Sequence, residues 1–310
     1  MNVQINNSVG ARFKLVARKA STEEITRETE WFKNIVLDTG LNQMAAVGNW
    51  IDRVRVGSGN STPVTSQTQL DNTFASSNTV LSGSTLVAKQ TTTLPYYVAA
   101  NTTYRFAEGV AAGNISEVGC GWGTGLDLWN RALVKDLNGD PTTITVLSDE
   151  FLDVIVEVRY YPTQSFSGSF NLLDKTGQIV SSHTYTGLPQ FTESNIPTFS
   201  QVVGGRTTLY SGNMNGVTTP PSTSLNYVSP VSTYPSPRTL TCTSIFPLTL
   251  SNGSIKTVQQ LFRVIAATGS VSTSSSLSCY KFEIDPPIVK TDQMVLSFTF
   301  SISWDRYEGE

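Results

Sequence analysis

The sequence predicts an all-β protein: antiparallel β-sandwich architecture in one domain or two related ones, with long loops and at most one or two short helices. Two apolar stripes of period two point to it most directly, one at Leu152, Val154, Val156, Val158 and Tyr160, the other at Leu296, Phe298, Phe300, Ile302 and Trp304. Such alternation is the mark of a strand with one buried face. Turn residues punctuate the chain, most clearly at Leu137-Asn138-Gly139-Asp140-Pro141, where Asn-Gly accepts positive φ and Pro cannot continue a ladder. Charged residues make up only 15% of the chain, against roughly 25% in ordinary soluble domains, so much of the surface is Ser, Thr and Asn.

In chain order, residues 12–18 set Phe13, Leu15 and Ala17 against Lys14, Val16 and Arg18, a first half-buried strand. Ser21-Thr22-Glu23-Glu24 is a weak helix-start signal. The mixed spacing of Trp31, Ile35, Asn42 and Ala46 predicts a short helix or an extended segment ending at Asp38-Thr39-Gly40. Residues 51–56 alternate again and run into Gly57-Ser58-Gly59-Asn60 and Pro63, a strand followed by a turn-rich loop. Residues 78–106 are β-branched and aromatic, ending in a strand at 103–106. From Glu117 to Gly125 glycine occupies every second position, so one face of an extended segment has no side chains and another backbone or an aromatic ring can approach closely. No Gly-Lys-Ser/Thr follows, so this is not a phosphate loop.

Strands should flank the Asn138-Gly139 turn, the second being the 152–160 stripe with its other face mostly wet. Residues 163–237 shift to Ser, Thr, Gly, Asn and Pro, a loop-rich region holding one hairpin, 167–173 with 178–185, around Asp174-Lys175-Thr176-Gly177. Order returns with 255–266, 278–284 and the final stripe, which belongs in the middle of a sheet. Three segments follow: an N-terminal β domain (1–162), a loop-rich hairpin region (163–237) and C-terminal strands completing a second β domain (238–310). A shift of 144 positions sets Ile144 on Ile288, Leu152 on Leu296 and Tyr160 on Trp304. This is either a duplicated β-sandwich or two alternating strands slid into register.

The formal net charge is -3, and no basic cluster exceeds Arg18-Lys19, which argues against nucleic-acid binding. Met1 to Gly10 lacks the apolar core of a secretion signal, and no run approaches the roughly 18 apolar residues of a membrane span. The expectation is a protein made in a cytoplasm, without membrane insertion. Cys120, Cys242 and Cys279 are too scattered for a zinc motif and odd in number, so they are expected to be free, buried thiols. A largely uncharged polar surface is cheap to desolvate, which suits subunit contacts; a secreted β-protein would show the same bias.

The segment Glu30-Trp31-Phe32-Lys33-Asn34-Ile35-Val36-Leu37-Asp38-Thr39-Gly40-Leu41-Asn42, then Val54-Arg55-Val56-Gly57-Ser58-Gly59-Asn60-Ser61-Thr62-Pro63 and Thr68-Gln69-Leu70, resembles a pattern seen in bacteriophage tail and tail-fibre-associated proteins. Ile115-Ser116-Glu117-Val118-Gly119 with Asn130-Arg131-Ala132-Leu133 is similar to the same group, and Ser303-Trp304-Asp305-Arg306 loosely resembles its close. The resemblance covers residues 28–160 well, 280–306 loosely and the middle not at all. It implies a virion structural protein of the tail, a homo-oligomer whose partners are its own copies and other tail proteins. No catalytic residue is attached to these motifs. Glu117 and Arg131 either pair across a sheet or are two unrelated surface charges.

The only histidine, His183, lacks neighbours for a triad or a zinc site and is expected to be solvated or hydrogen-bonded. Asp149-Glu150 would be the carboxylates of a polysaccharide depolymerase, if that reading held. Asp136, Asn138 and Asp140 carry oxygen ligands but lack a calcium loop's spacing and final Glu. No cofactor, metal or catalytic residue is expected. Candidate subunit contacts are Trp31, Phe32, Gly119, Gly121, Trp122, Gly123, Gly125 and Trp304. Tyr210, Tyr227 and Tyr234, read as exposed, are candidates for contact with a subunit or with a host surface glycan. In the receptor-binding alternative the 163–237 region recognises the glycan.

Overall fold

The computed structural model describes residues 1–84, 86–191, 197–267 and 276–309. Strands take 58% of the chain and helix 2%, which makes the protein all-β with several antiparallel sheets. The largest sheet runs, in spatial order, Val231–Ser236, Thr239–Phe246, Leu296–Arg306, Asn2–Lys19, Glu150–Tyr161, Tyr97–Phe106 and Leu86–Gln90, with two short strands also paired to Asn2–Lys19. The second runs Phe166–Leu173, Ile179–Gln190, Ser276–Lys290, Gly253–Ala267, Val203–Tyr210 and Ser224–Val228, with Pro197–Thr198 beside Gly253–Ala267. A third sheet of five short strands is ordered Ile35–Val36, Asn130–Leu133, Glu117–Gly121, Arg53–Gly57 and Thr73–Ser77.

The first strand is longer than its sequence pattern suggests, because Asn7 interrupts the apolar stripe of Val3, Ile5 and Val9. Asn7 is nevertheless buried: its amide donates to the Ser303 carbonyl at 3.1 Å, and its oxygen accepts from the Tyr280 hydroxyl. A satisfied amide can stay in a core. The two stripes that suggested a duplication flank this one strand. Glu150–Tyr161 pairs with it antiparallel, from Ser8 opposite Tyr161 to Lys19 opposite Glu150, whereas Leu296–Arg306 pairs with it parallel, from Asn2 opposite Thr299 to Val9 opposite Arg306. The two stripes are therefore neighbours of a shared strand; the chain passes from the largest sheet to the second between Tyr161 and Phe166, and the strands on either side of 238 both belong to the largest sheet.

The 163–237 segment, expected to be loop-rich, supplies strands to both large sheets. The hairpin is present, with Phe166 opposite Gly187 and Phe170 opposite His183. Its strands bury only one face, so few apolar residues suffice, and the composition looks like loop. Between the sheets, aromatic rings interlock: Phe282 lies 6.3 Å from Phe298 and 5.7 Å from Phe300, and Phe262 lies 6.4 Å from Phe300. Tyr160 and Tyr280 join the sheets through their hydroxyls at 3.2 Å.

The expected wet face of Glu150–Tyr161 is largely covered. Asp153 and Glu157 are buried, and arginines from both neighbouring strands satisfy them. Arg12 donates to both oxygens of Glu157 at 2.8 and 3.1 Å, and Arg18 and Arg105 converge on Asp153. Among the described residues the one helix, Asp38–Gln43, begins where the sequence suggested a stop. It fits because Gly40 sits against the Trp129 backbone, where a Cβ would come within 2.3 Å of the carbonyl oxygen.

Candidate functional site

Segments 54–63, 115–119 and 130–133 meet around one buried carboxylate. Glu117 lies on the central strand of the third sheet, opposite Leu133 on one side and Gly57 on the other. Its side chain is fully buried. It accepts backbone N–H bonds from Gly59 at 2.8 Å, Asp71 at 3.0 Å and Asn72 at 2.9 Å, and is paired with Arg131 at 2.8 Å. Arg131, also fully buried, reaches Asp71 at 2.7 Å and the Ser61 hydroxyl at 3.1 Å. Burial pushes the Asp71 carboxyl up, but hydrogen bonds from Ser61 and the Arg131 charge outweigh it and hold the group below its ordinary range. Of the two readings left open for Glu117 and Arg131, the cross-strand pair is the one observed. The pair pins the 57–72 loop to the sheet. Gly57 and Gly59 are needed because the Glu117 carboxylate lies within 2.6 Å and 2.4 Å of where their Cβ atoms would be.

The glycine-rich strand behaves as its alternation implies. Ordinary side chains at Gly119 and Gly121 would strike the Asn130 carbonyl at 2.6 Å and the Asp127 carbonyl at 2.0 Å. The strand ends at Gly121, however, and Trp122 to Gly125 form a loop. Arg55, buried beside Gly121, gathers this loop, donating to the carbonyls of Asp127 at 3.1 Å, Trp122 at 3.3 Å, Gly123 at 3.1 Å and Gly125. Burial lowers its pKa.

Two further cations repeat the device. Lys281, fully buried, donates to the carbonyls of Gly216 at 2.7 Å and Thr219 at 2.6 Å. Lys290, also buried, donates to Pro247 O at 2.8 Å, Leu248 O at 3.2 Å and Asn252 Oδ1 at 2.8 Å. Sequence reasoning missed Arg55, Lys281 and Lys290. The available signal was a cation inside a strand whose neighbouring residues are largely apolar.

Burial lowers the Lys281 ammonium from its ordinary value to about 8. Between about pH 8 and 10.5 the unfolded chain therefore holds a proton that the folded chain has released, and folding stability gains from this group as pH rises. The thiols of Cys242 and Cys279, pushed up by burial to about 11 and about 12, act in the opposite direction. The expected result is that the stability of the wild type relative to Lys281→Met rises by on the order of 1–2 kcal/mol across that window. Urea unfolding at pH 8 and pH 10 checks it, and a flat difference refutes it.

The candidate contact residues fall into two groups. Phe32, Gly119, Gly121 and Trp304 are buried within the chain, which corrects their expected place on an interface. Trp304 donates its indole N–H to the Leu41 carbonyl at 2.8 Å, fixing the helix to the last strand. Trp31 and Trp122 are half-buried and Gly123 and Gly125 are exposed. Tyr210 is likewise corrected: it is buried, with its hydroxyl on Gln259 at 2.9 Å. Tyr227 is 58% exposed under the Arg206 guanidinium, and Tyr234 is exposed, though its hydroxyl donates to Val202 O. The candidates thus do not form one site.

No family model, curated protein or solved structure matches this chain.

His183 is buried and hydrogen-bonded. The Pro286 carbonyl, 2.6 Å from Nδ1, can only accept, so Nδ1 donates to it, and Nε2 is hydrogen-bonded to the Ser181 hydroxyl at 2.7 Å. Its ring stacks on Phe170. Asp149 pairs with Lys19, whose hydrogen bond holds it below its ordinary range. For Glu150, burial raises the pKa, yet the Leu147 N–H, Thr26 and Arg27 overcome it and hold the group low. A glycosidase acid must keep its proton near neutrality, and neither neighbour is arranged to do so. All three cysteines are free and buried, as expected. In the 136–140 turn, Asp136 Oδ1 accepts the N–H groups of Asn138 and Asp140 at 2.8 and 2.9 Å. Among the described residues, no group of three His, Cys, Asp or Glu side chains is placed to hold a metal.

Proposed function

We propose that this protein is a non-enzymatic structural subunit of a bacteriophage tail, acting in the virion by assembly with its own copies and with other tail proteins. The observation that carries the reading is where the charge goes. Glu117, Arg131, Arg55, Lys281 and Lys290 are buried and bonded to loop backbone or to one another. In a chain with 15% charged residues this takes ions off the outside and stiffens the loops. The sheet edge at Val231–Ser236 is exposed along its whole length and uncharged, with Val231 69% exposed and Ile245 exposed on the adjacent strand. An open edge carries unpaired backbone groups that another chain can bind, and rigid loops lower the entropy cost of association.

The expected result is a solution mass of several copies that grows with protein concentration, measured by light scattering. Introducing charge at the edge with Val231→Lys should lower it at least tenfold in association constant. A strictly monomeric chain at the highest attainable concentration, both alone and mixed with tail proteins from a candidate phage, would refute the reading.

A further inference from the structure

We propose that Lys256 and Asn213 close into an intramolecular isopeptide bond, with Glu283 as the base, so that the folded chain cross-links itself. The bond joins a loop to its own sheet within one chain, so it is independent of the assembly reading.

Three side chains from three segments of the second sheet meet here. Lys256 lies on Gly253–Ala267, and Glu283 lies on the adjoining Ser276–Lys290, opposite Thr257. Asn213 follows Val203–Tyr210, the strand on the other side, whose Tyr210 is also opposite Thr257. Lys256 Nζ donates to Asn213 Oδ1 at 2.6 Å and lies 3.3 Å from Glu283 Oε1. The amide carbon is one bond of about 1.2 Å beyond Oδ1, so Nζ is no more than about 3.8 Å from it. A turn of the amide about its Cβ–Cγ bond brings its face to the amine, at the roughly 3–3.5 Å of a near-attack arrangement.

Asn213 is held in place from both sides. Before it, the Gly212 carbonyl accepts the Thr257 hydroxyl at 2.8 Å; after it, the Met214 N–H donates to Glu283 Oε2 at 2.9 Å. Its own carbonyl accepts the Ser222 N–H at 3.2 Å. The Glu283 carboxylate therefore reaches the amine with one oxygen and the backbone beside the amide with the other. An amide is a poor acyl donor in water, and fixing both reactants supplies what it lacks, an effective concentration on the order of 10⁵ M or more.

The closure balances without an oxidant, a reductant or a bound group. Glu283 takes a proton from the ammonium, and the freed lone pair on Nζ forms a bond to Asn213 Cγ. As the tetrahedral carbon collapses, the Cγ–Nδ2 bond breaks. Nζ gives up two protons in all, both carried to Nδ2, so ammonium leaves and Glu283 ends as the carboxylate it began as. The Lys256 and Glu283 side chains are only 33% and 31% exposed, which shelters the proton transfer, whereas Asn213 is exposed and releases its ammonium to water. A second Lys–Asn contact, Lys290 on Asn252 at 2.8 Å, lacks the base: the other hydrogen-bond partners of that amine are backbone carbonyls.

The test is the intact mass of the full chain, incubated folded at neutral pH and then denatured. The expected result is a chain lighter than its sequence requires by the mass of one ammonia. Trypsin should release a branched peptide joining residues 207–238 to 239–263, because it does not cut after an acylated Lys256. Lys256→Arg keeps the ion pair with Glu283 and should show the full mass of its sequence. Glu283→Gln, with its fold checked by circular dichroism, should close at least a hundredfold more slowly, the scale of a lost general base. If that variant does not fold, Lys256→Arg carries the test. A full-length mass with no deficit, a deficit without the branched peptide (ring closure at an Asn-Gly pair), or a branch at Lys290 in place of Lys256 would each overturn the proposal.

Discussion

Glu117→Ala is expected to destabilise the protein by about 3–5 kcal/mol, the size of effect seen when one member of a buried ion pair is removed and the other is left without a partner. Three backbone N–H groups, of Gly59, Asp71 and Asn72, lose their acceptor at the same time, and Arg131 remains fully buried. The 57–72 loop should come away from the third sheet before the rest of the chain unfolds. Glu117→Ala combined with Arg131→Met should recover part of the loss, because no unpaired ion then stays inside, and a double-mutant cycle measures that recovery. The check is the shift of the urea midpoint at constant slope. A loss below about 1 kcal/mol would mean that the carboxylate is not the organising centre described above.

Phe282→Ala should cost a similar amount, about 3–5 kcal/mol, through a different mechanism. Phe282 is fully buried, and its ring meets Phe298 and Phe300 of the opposite sheet and Phe166 and Tyr185 of its own. Truncation leaves a cavity between two sheets whose hydrogen-bonded backbones cannot close on it. Differential scanning calorimetry should show a lower melting temperature with cooperativity retained if the two sheets unfold together. An unchanged melting temperature would show that the inter-sheet aromatics are not a principal source of stability. Phe282→Leu, which refills much of the volume, should lose markedly less.

The all-β class and most strand positions were legible because a period-two stripe is a local property: each of Leu296, Phe298, Phe300, Ile302 and Trp304 reports its own face without reference to any other segment. The same holds for the Asn138-Gly139 turn, where Gly139 has φ +86°, and for the glycine face opposite Asn130. Two kinds of feature were not legible. Strands with few apolar residues, such as Val203–Tyr210 and Val231–Ser236, look like loop until a partner strand is present to pair with their backbone. The roles of buried cations also depended on distant chain: Arg55 is read only once the 122–127 loop is placed on it, and Lys281 only beside Gly216 and Thr219. Tyr210 was misjudged for the same reason, since a tyrosine in a Ser/Thr-rich stretch looks exposed until Gln259 is seen to meet its hydroxyl.

The sequence alone determined the all-β class, the free thiols, the close approach of backbone at Gly119 and Gly121, and the paucity of surface charge, because each follows from residue type and spacing. Tertiary structure decided that the first strand lies parallel to the last, that the two alternating stripes flank it rather than ending separate domains, and that Glu117, Arg131 and the buried cations bind loops. It also brought Asn213, Lys256 and Glu283 together from three separate segments. The physical reason is the same in each case: periodicity encodes which face of a strand is buried, whereas strand order and long-range ion pairing are set by which surfaces meet, and that information is shared between segments.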